Sequence, residues 1–507
     1  MIQQIDYFLI APPLVLALAA AAVLLLDAFL PARPRTRPGL GLVTLAGVLA
    51  SLGFVVAQAA GSGAARSTFC VPPSLGGDPS LCSYVVDRFT LVFAGLVLVS
   101  AVVVVLLSMT ELSGGDIPAG EWHFLLLCAL IGAVTLPASR DLVMLVVALE
   151  LVSLPVFALT AMKRYDGRSS EAAVKLFVVS VVSTAVMLFG VSLLYGVAGS
   201  VYLSRLSTVL AGGAPAPGLA EDAAVGQVMP AVVTVGLVLV VAGFAFKIAA
   251  VPFHSWAADV YQGAPVPVAA LLSVISKAAG FAGLILVLTT ALSGQSATWA
   301  PVVGVLAALT MTVGNLLALR QRSAVRLLAW SSVAQSGYVL APLAAGTAET
   351  AGASIAYLVI YAAMNLGAFA VVMLVSRTSE RNELDDYRGL VFTRPAAGLA
   401  LAFCLVCLAG LPPGLAGLFA KVFVFREIVA SGFGWLALVM AVNTVIGLYY
   451  YALWTARLFA PAGAQAPVAH RPRVTTYVAV GLALAAAVLF SVAPQVVLDL
   501  TSLSASG

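Results

Sequence analysis

Apolar runs long enough to cross a bilayer follow one another along almost the whole chain, and that succession restricts the fold more than any other feature. A spanning helix needs ~20 mostly apolar residues. Stretches of that kind lie near 8–30, 40–60, 89–108, 122–138, 142–162, 172–198 and 229–253. Seven more lie near 264–290, 299–319, 324–345, 351–376, 395–425, 433–456 and 474–497, fourteen in all. Charged residues make up 9% of the 507, against roughly 25% in a soluble domain. Nucleic-acid binding, a secreted soluble enzyme and intrinsic disorder are excluded. The strand-like alternation of ~10 residues that marks outer-membrane barrels is absent, so the sequence predicts an all-helical polytopic membrane protein.

The placement of the basic residues sets an orientation. The opening, MIQQIDYFLIAPPLVL, has Asp6 and no Lys or Arg before its apolar stretch, which predicts a retained span rather than a cleaved signal peptide. Alternate loops carry Arg33, Arg35, Arg37, Lys163, Arg164, Arg168, Arg320, Arg322, Arg326, Arg377, Arg381, Arg388, Arg394, Arg457, Arg471 and Arg473. The opposite loops carry Arg66, Arg88, Arg140, Arg205 and Arg426. By the positive-inside rule the first set is cytoplasmic, and an even span count then puts both termini outside. Cys70 and Cys82 share one outer loop, where an oxidising compartment would allow a disulfide. Cys404 and Cys407 form a CxxC inside an apolar run and read as small buried hydrophobes.

The remaining basic residues are the main functional clue. Every Arg falls in a loop or near a helix end, whereas four of the five Lys fall inside apolar runs: Lys175, Lys247, Lys277 and Lys421. A charge at the bilayer centre costs ~2.5–3.5 kcal/mol, so four lysines plus Glu150 oppose insertion by more than ~10 kcal/mol. Arg would pair better but stays protonated, while Lys releases a proton readily when buried. Lysine in place of arginine is what a proton path requires. Snorkelling to the interface is the bland alternative, strongest for Lys175, which follows a cytoplasmic loop by a turn or two. Glu150, in LVVALELVSLP, is the one acid near the middle of any run, and beside a lysine it would form a tunable proton site. Lys175 and Lys247 are the candidate partners.

Two lysines lie near prolines: Lys247 precedes Pro252, and Pro412 and Pro413 precede Lys421. Proline removes a donor and clashes with the preceding turn. It frees carbonyls that are tolerated at membrane depth only where protein or cavity water satisfies them. Broken helices near the midplane are a transporter device. Lys247 and His254, seven residues apart, share a face if the helix persists, and the imidazole would then relay protons. Asp259 and Glu171 read as solvated acids near the cytoplasmic interface. His123 and His470 receive no role.

GFAFKIAAVPFHSWAADVYQGAPVPVAALLSVISKAAGF resembles the signature of the antiporter-like membrane subunits of respiratory complex I, the NADH–quinone oxidoreductase. ELVSLPVFALTA, EAAVKLFVVSVVSTAVMLFGVSLLYG, RLLAWSSVAQSGY and GLPPGLAGLFAKVFVF extend the resemblance over nearly the whole chain. DVYQGAP and lysine at position 421 resemble the N-type branch, as does a chain that stops soon after the fourteenth run, without the long lateral helix of the L type. The resemblance implies three N-terminal helices (1–120), two inverted five-helix repeats (121–290 and 301–457), each with one proline-broken helix, and a C-terminal helix (458–507). It implies proton translocation through Glu150, Lys175, Lys247, Lys277 and Lys421, with His254 on the entry side, in a bacterial cell membrane. Glu150 and Lys277 have no ionisable counterparts in the second repeat, so the halves would not be equivalent.

Redox chemistry is expected in other chains. The sequence has no GxGxxG strand-turn-helix for a dinucleotide and no cysteine set for an iron–sulfur cluster. NADH, FMN, the clusters and quinone, implied by the resemblance, would bind other subunits of the complex. Multisubunit cation/proton antiporters and membrane-bound hydrogenases use similar subunits and are the rival expectation. A passive scaffold that keeps its charges only for docking is a third.

Overall fold

The computed structural model describes residues 5–31, 36–61, 64–72, 81–163, 166–212, 230–379, 381–461 and 473–501. Arg33, Arg35, Arg164, His470 and Arg471 lie outside the described residues. An apolar run in lipid must satisfy its own backbone, and the runs do so as helices. The first group is α1 (Ala11–Phe29), α2 (Thr36–Ala59), α3 (Arg88–Glu111), α4 (Ala119–Thr135), α5 (Leu142–Ala161), α6 (Gly167–Ala198) and the short α7 (Leu203–Leu210). Next come α8 (Pro230–Lys247), α9 (Ala257–Gly263), α10 (Val266–Leu271), α11 (Lys277–Leu286), α12 (Ser296–Ala318), α13 (Ala324–Leu340) and α14 (Ala348–Ser376). The last are α15 (Leu390–Thr393), α16 (Pro395–Ala409), α17 (Leu415–Ala430), α18 (Gly434–Phe459), α19 (Val474–Val492) and α20 (Gln495–Thr501). Side-chain caps mark several starts: Asp87 accepts from the Thr90 amide, Asp141 from Met144 and Thr347 from Thr350, each filling one of the orphan donors of a first turn.

All fourteen runs are helical, but not all as single long helices. Among the described residues, twelve helical stretches are long and apolar enough to cross a membrane. The run near 324–345 is α13, 17 residues continued by a 3₁₀ turn over Ala341–Ala345. The run near 395–425 is divided into α16 and α17. The all-helical expectation holds for the membrane-spanning part of the chain, and one loop adds a short β-hairpin. The loop between α2 and α3 forms an antiparallel hairpin of β1 (Arg66–Cys70) and β2 (Cys82–Val86), and Cys70 and Cys82 are bonded across it. Ladder bonds satisfy the backbone of this more polar loop as helical bonds do elsewhere.

The bundle is graded from inside to outside. Every residue of α10 and α11 is buried, as is every residue of α13 except Arg326, and α14 is almost as enclosed. The outer helices expose large apolar side chains instead, such as Leu18 on α1 and Leu438 and Val445 on α18. In water an apolar surface of that extent would associate; against acyl chains it is stable. The innermost helices therefore carry side chains shielded from lipid, and three of the four intramembrane lysines lie on or next to them.

Candidate functional site

The first helix break sets the position of Lys247, the last residue of α8. The chain turns over residues 248–256, with Ala249 at φ +57° and Pro252 in the turn, before α9 resumes. The backbone groups released there are paired by neighbours. The Ser336 hydroxyl of α13 donates to the Ile248 carbonyl at 2.8 Å, Thr310 Oγ1 of α12 accepts from the Val251 amide at 3.0 Å, and the Trp256 indole donates to the Phe246 carbonyl at 3.2 Å. The break is thus built with α12 and α13 as its walls, as irregular backbone at membrane depth requires. Lys247 Nζ donates to Ser153 Oγ of α5 at 2.7 Å, and its stem runs past Gly280, where an added Cβ would lie 3.0 Å from Lys247 Cγ. A small cavity beside it is lined by Ser153, Ser180, Trp256 and Ser276.

Gly280 is one turn beyond Lys277 on α11. Lys277 is 2% exposed. Its Nζ donates to the Ser332 hydroxyl at 2.6 Å and to the Ser332 carbonyl, and lies 5.8 Å from the centre of the Tyr361 ring. Tyr361 in turn donates to Ser332 Oγ at 2.8 Å. A hydrogen bond to a charged group contributes about 1.5–3 kcal/mol, so two acceptors are enough to offset an insertion cost of about 2.5–3.5 kcal/mol.

Lys421 occupies the second break. α16 ends at Gly410 with φ +81°, Pro412 and Pro413 follow, and α17 starts at Leu415. From nearly two turns into α17, Lys421 Nζ reaches back to the carbonyls of Leu408 and Ala409, at 3.1 and 2.8 Å. These are orphan acceptors of a helix C-terminus, where the macrodipole favours a cation. The same ammonium lies 5.6 Å from the Tyr338 ring centre. Ser332 and Tyr338 are both on α13, six residues or about 9 Å apart along the axis, so α13 bridges Lys277 and Lys421. Buried polar groups fill the interval. Tyr357 donates to Gln335 at 2.6 Å, Gln335 and Ser331 both bond Tyr451, and the Tyr338 ring is stacked on Tyr357.

Other sequence candidates are arranged differently from expectation. Glu150 accepts from the Thr184 hydroxyl of α6 at 2.7 Å. Among the described residues its carboxylate forms no ion pair, with either Lys175 or Lys247. It is near Lys247 only indirectly, one turn from Ser153 on α5. Lys175 is instead partly exposed and paired with Glu171 at 2.7 Å and Asp259 at 2.8 Å. The helix between Lys247 and His254 does not persist, so the shared-face argument fails; the imidazole packs on Trp330, ring centres 5.5 Å apart.

Asp259 and Glu171 are therefore not merely solvated. Asp259, on α9, also meets Arg326 of α13 at 2.9 Å, and Arg326 donates to Gln262 at 2.8 Å. DVYQGAP places Asp259 and Gln262 one turn apart, the signal that sequence reading left unused. Cys404 and Cys407 are buried free thiols. Among the described residues no three His, Cys, Asp or Glu side chains come together as a metal-binding group.

The family described as NADH:quinone oxidoreductase/Mrp antiporter, TM, matches residues 139–447, a span that contains every lysine of the site. An NADH-quinone oxidoreductase subunit N of Streptomyces griseus subsp. griseus is 50% identical, over 99% of this chain and 94% of its own length. A chain of respiratory complex I from Thermus thermophilus superposes with TM-score 0.75 at 30% identity, covering 96% of this chain and 98% of that one. A chain of the Mrp complex from Dietzia sp. gives TM-score 0.79 at 20% identity, covering 97% and 96%, which is a likeness of fold. The chain belongs to the NADH:quinone oxidoreductase/Mrp antiporter transmembrane family, in its subunit N branch.

Proposed function

We propose that this chain is a proton-translocating membrane subunit of an NADH–quinone oxidoreductase. It works in a bacterial cell membrane beside other membrane and peripheral subunits, with both termini on the outer side. NADH, FMN, iron–sulfur clusters and quinone belong to other subunits, and this chain converts the energy of their electron transfer into proton movement. The observation that supports this is the line of buried ammonium groups from one helix break to the other: Lys247 on Ser153, Lys277 on Ser332, and Lys421 beyond Tyr338.

Protons enter from the cytoplasmic side near His254, load Lys247, pass through Lys277 and the polar side chains of α13, and leave from Lys421. Among the described residues Lys247 donates to one acceptor and the other two lysines to two each, which suits Lys247 to be the group that loads and releases most easily. Glu150 is the switch, its charge one turn from Ser153 biasing the ammonium of Lys247. Lys175 acts from the interface through Asp259. The architecture behind this path is two inverted repeats, 121–290 and 301–457, each with one broken helix, flanked by 1–120 and 458–507.

The rival is a subunit of a cation/proton antiporter or membrane-bound hydrogenase, which the fold alone accommodates. The relative at 50% identity over nearly the full length favours the oxidoreductase. The deciding experiment solubilises native membranes in mild detergent and isolates the chain. NADH-oxidising activity, flavin and iron–sulfur signals should come with it in one large particle. Hydrophobic partners without redox centres would overturn the proposal in favour of the antiporter.

A further inference from the structure

The helix that carries Lys277 is not regular. Between α10 and α11 the chain makes one π-helical turn, Leu272–Ser276, a widened turn that is rare and frequent mainly at functional sites. The turn faces two ways. Leu272 and Ser276 line the small cavity beside Lys247, while Ser273 meets Asn365 of α14. Asn365 is 0% exposed and stands one turn beyond Tyr361, the ring that lies under the Lys277 ammonium. Ser273 with Asn365 and Lys277 with Tyr361 are therefore successive rungs between two antiparallel helices.

The polar atoms of these rungs leave one acceptor over. The Asn365 amide nitrogen donates to Ser273 Oγ at 2.8 Å, and the Ser273 hydroxyl donates to the Ala270 carbonyl at 2.8 Å. A hydroxyl has one proton to give, so Ser273 has none for Asn365, and this fixes which way the amide points. Asn365 Oδ1 is then a buried acceptor with no donor among the described residues, an arrangement that native proteins keep only rarely. The donor aimed at it is Lys277. An ammonium has three N–H groups, and two of the lysine's go to Ser332. Side chains on a helix lean over the preceding turn, so Lys277 leans towards Ser273 while Asn365 leans towards Tyr361, each into the other's rung.

We propose, taking Lys277 as part of the proton path, that Asn365 Oδ1 is a second station for its ammonium, which swings between Ser332 on α13 and Asn365 on α14. An N–H bond to Ser332 is exchanged for one to Asn365, and the proton stays on the lysine throughout the swing. Ser332 is not left bare, because Tyr361 also donates to its hydroxyl at 2.8 Å. At Ser332 the ammonium joins the polar side chains that lead to Lys421. At Asn365 it lies against the π turn whose other side faces Lys247, so the swing gates passage from the first break to the second.

The test uses the assembled complex in sealed proteoliposomes. Asn365→Leu keeps the bulk of the side chain and removes its carbonyl; NADH-driven proton uptake should fall severalfold, with assembly unchanged on a native gel. Should leucine reduce assembly, uptake per assembled complex is measured for Asn365→Ala, with the same loss expected. The infrared difference spectrum between oxidised and NADH-reduced complex should contain an asparagine side-chain carbonyl band. That band should be absent from Asn365→Leu and also from Lys277→Met, where the carbonyl has no ammonium to bond and release; an asparagine with a purely structural role would not depend on Lys277. No band in the unaltered protein, its survival in Lys277→Met, or uptake unchanged in Asn365→Leu would overturn the swing while leaving Lys277 on the path. Uptake unchanged in Lys277→Met as well would remove Lys277 from the path, and the swing with it.

Discussion

A buried ammonium is tolerable here because each has a named acceptor, and that makes single substitutions informative. Lys277→Met keeps the length and apolar bulk of the side chain but removes the charge from Ser332 and the Tyr361 ring. Positioned proton-transfer groups contribute about 10²–10⁴-fold. Proton uptake by proteoliposomes should therefore fall at least tenfold, with the amount of assembled complex unchanged on a native gel. Ser153→Ala takes the acceptor from Lys247 and should give a smaller, severalfold loss in the same assay. The lysines were legible in the sequence because Arg is excluded from the apolar runs. Their acceptors were not. Serine and threonine in apolar helices commonly bond the preceding turn, as Ser153 does with the Leu149 carbonyl, and nothing in the sequence shows which also serve a lysine.

The broken helices were legible as breaks, because proline next to a buried lysine leaves backbone unpaired at membrane depth. What covers the unpaired groups was not. Thr310 and Ser336 come from α12 and α13, 59 and 88 residues from the groups they satisfy, and sequence periodicity carries no information about contacts over such separations. Thr310→Val keeps the shape and leaves the Val251 amide buried without a partner, at a cost of about 1–3 kcal/mol. The detergent-solubilised complex should then melt at a lower temperature by differential scanning fluorimetry, and Ser336→Ala should do the same through Ile248. Unchanged melting in both variants would mean that α12 and α13 do not support the first break. The hairpin after α2 escaped notice for a related reason: its strands are five residues each, too short to show alternation against the surrounding apolar runs.

Across the whole molecule, the buried line and an interfacial ion pair both join the first half of the chain to the second. Asp259 holds Lys175 of α6 and Arg326 of α13 together. These groups are partly exposed, so solvent screens the bridge and it contributes little to stability. Asp259→Asn should leave assembly and melting nearly unchanged while lowering the protons moved per NADH, which would identify the bridge as a coupling element rather than a staple. A large loss of assembly with normal pumping per complex would assign it to structure alone. The span count, the breaks and the intramembrane lysines could be read from the linear sequence, since each is a local pattern. The polar path through α13 could not, because it exists only where Lys277, Tyr361, Tyr451 and Lys421 converge on one helix from four others. The most direct measurement is the proton-to-electron ratio of the purified complex in sealed proteoliposomes, with Lys247→Ala compared to the unaltered chain. A lower ratio with NADH oxidation still measurable is expected if Lys247 loads the path. An identical ratio would mean that protons do not travel along this line of lysines.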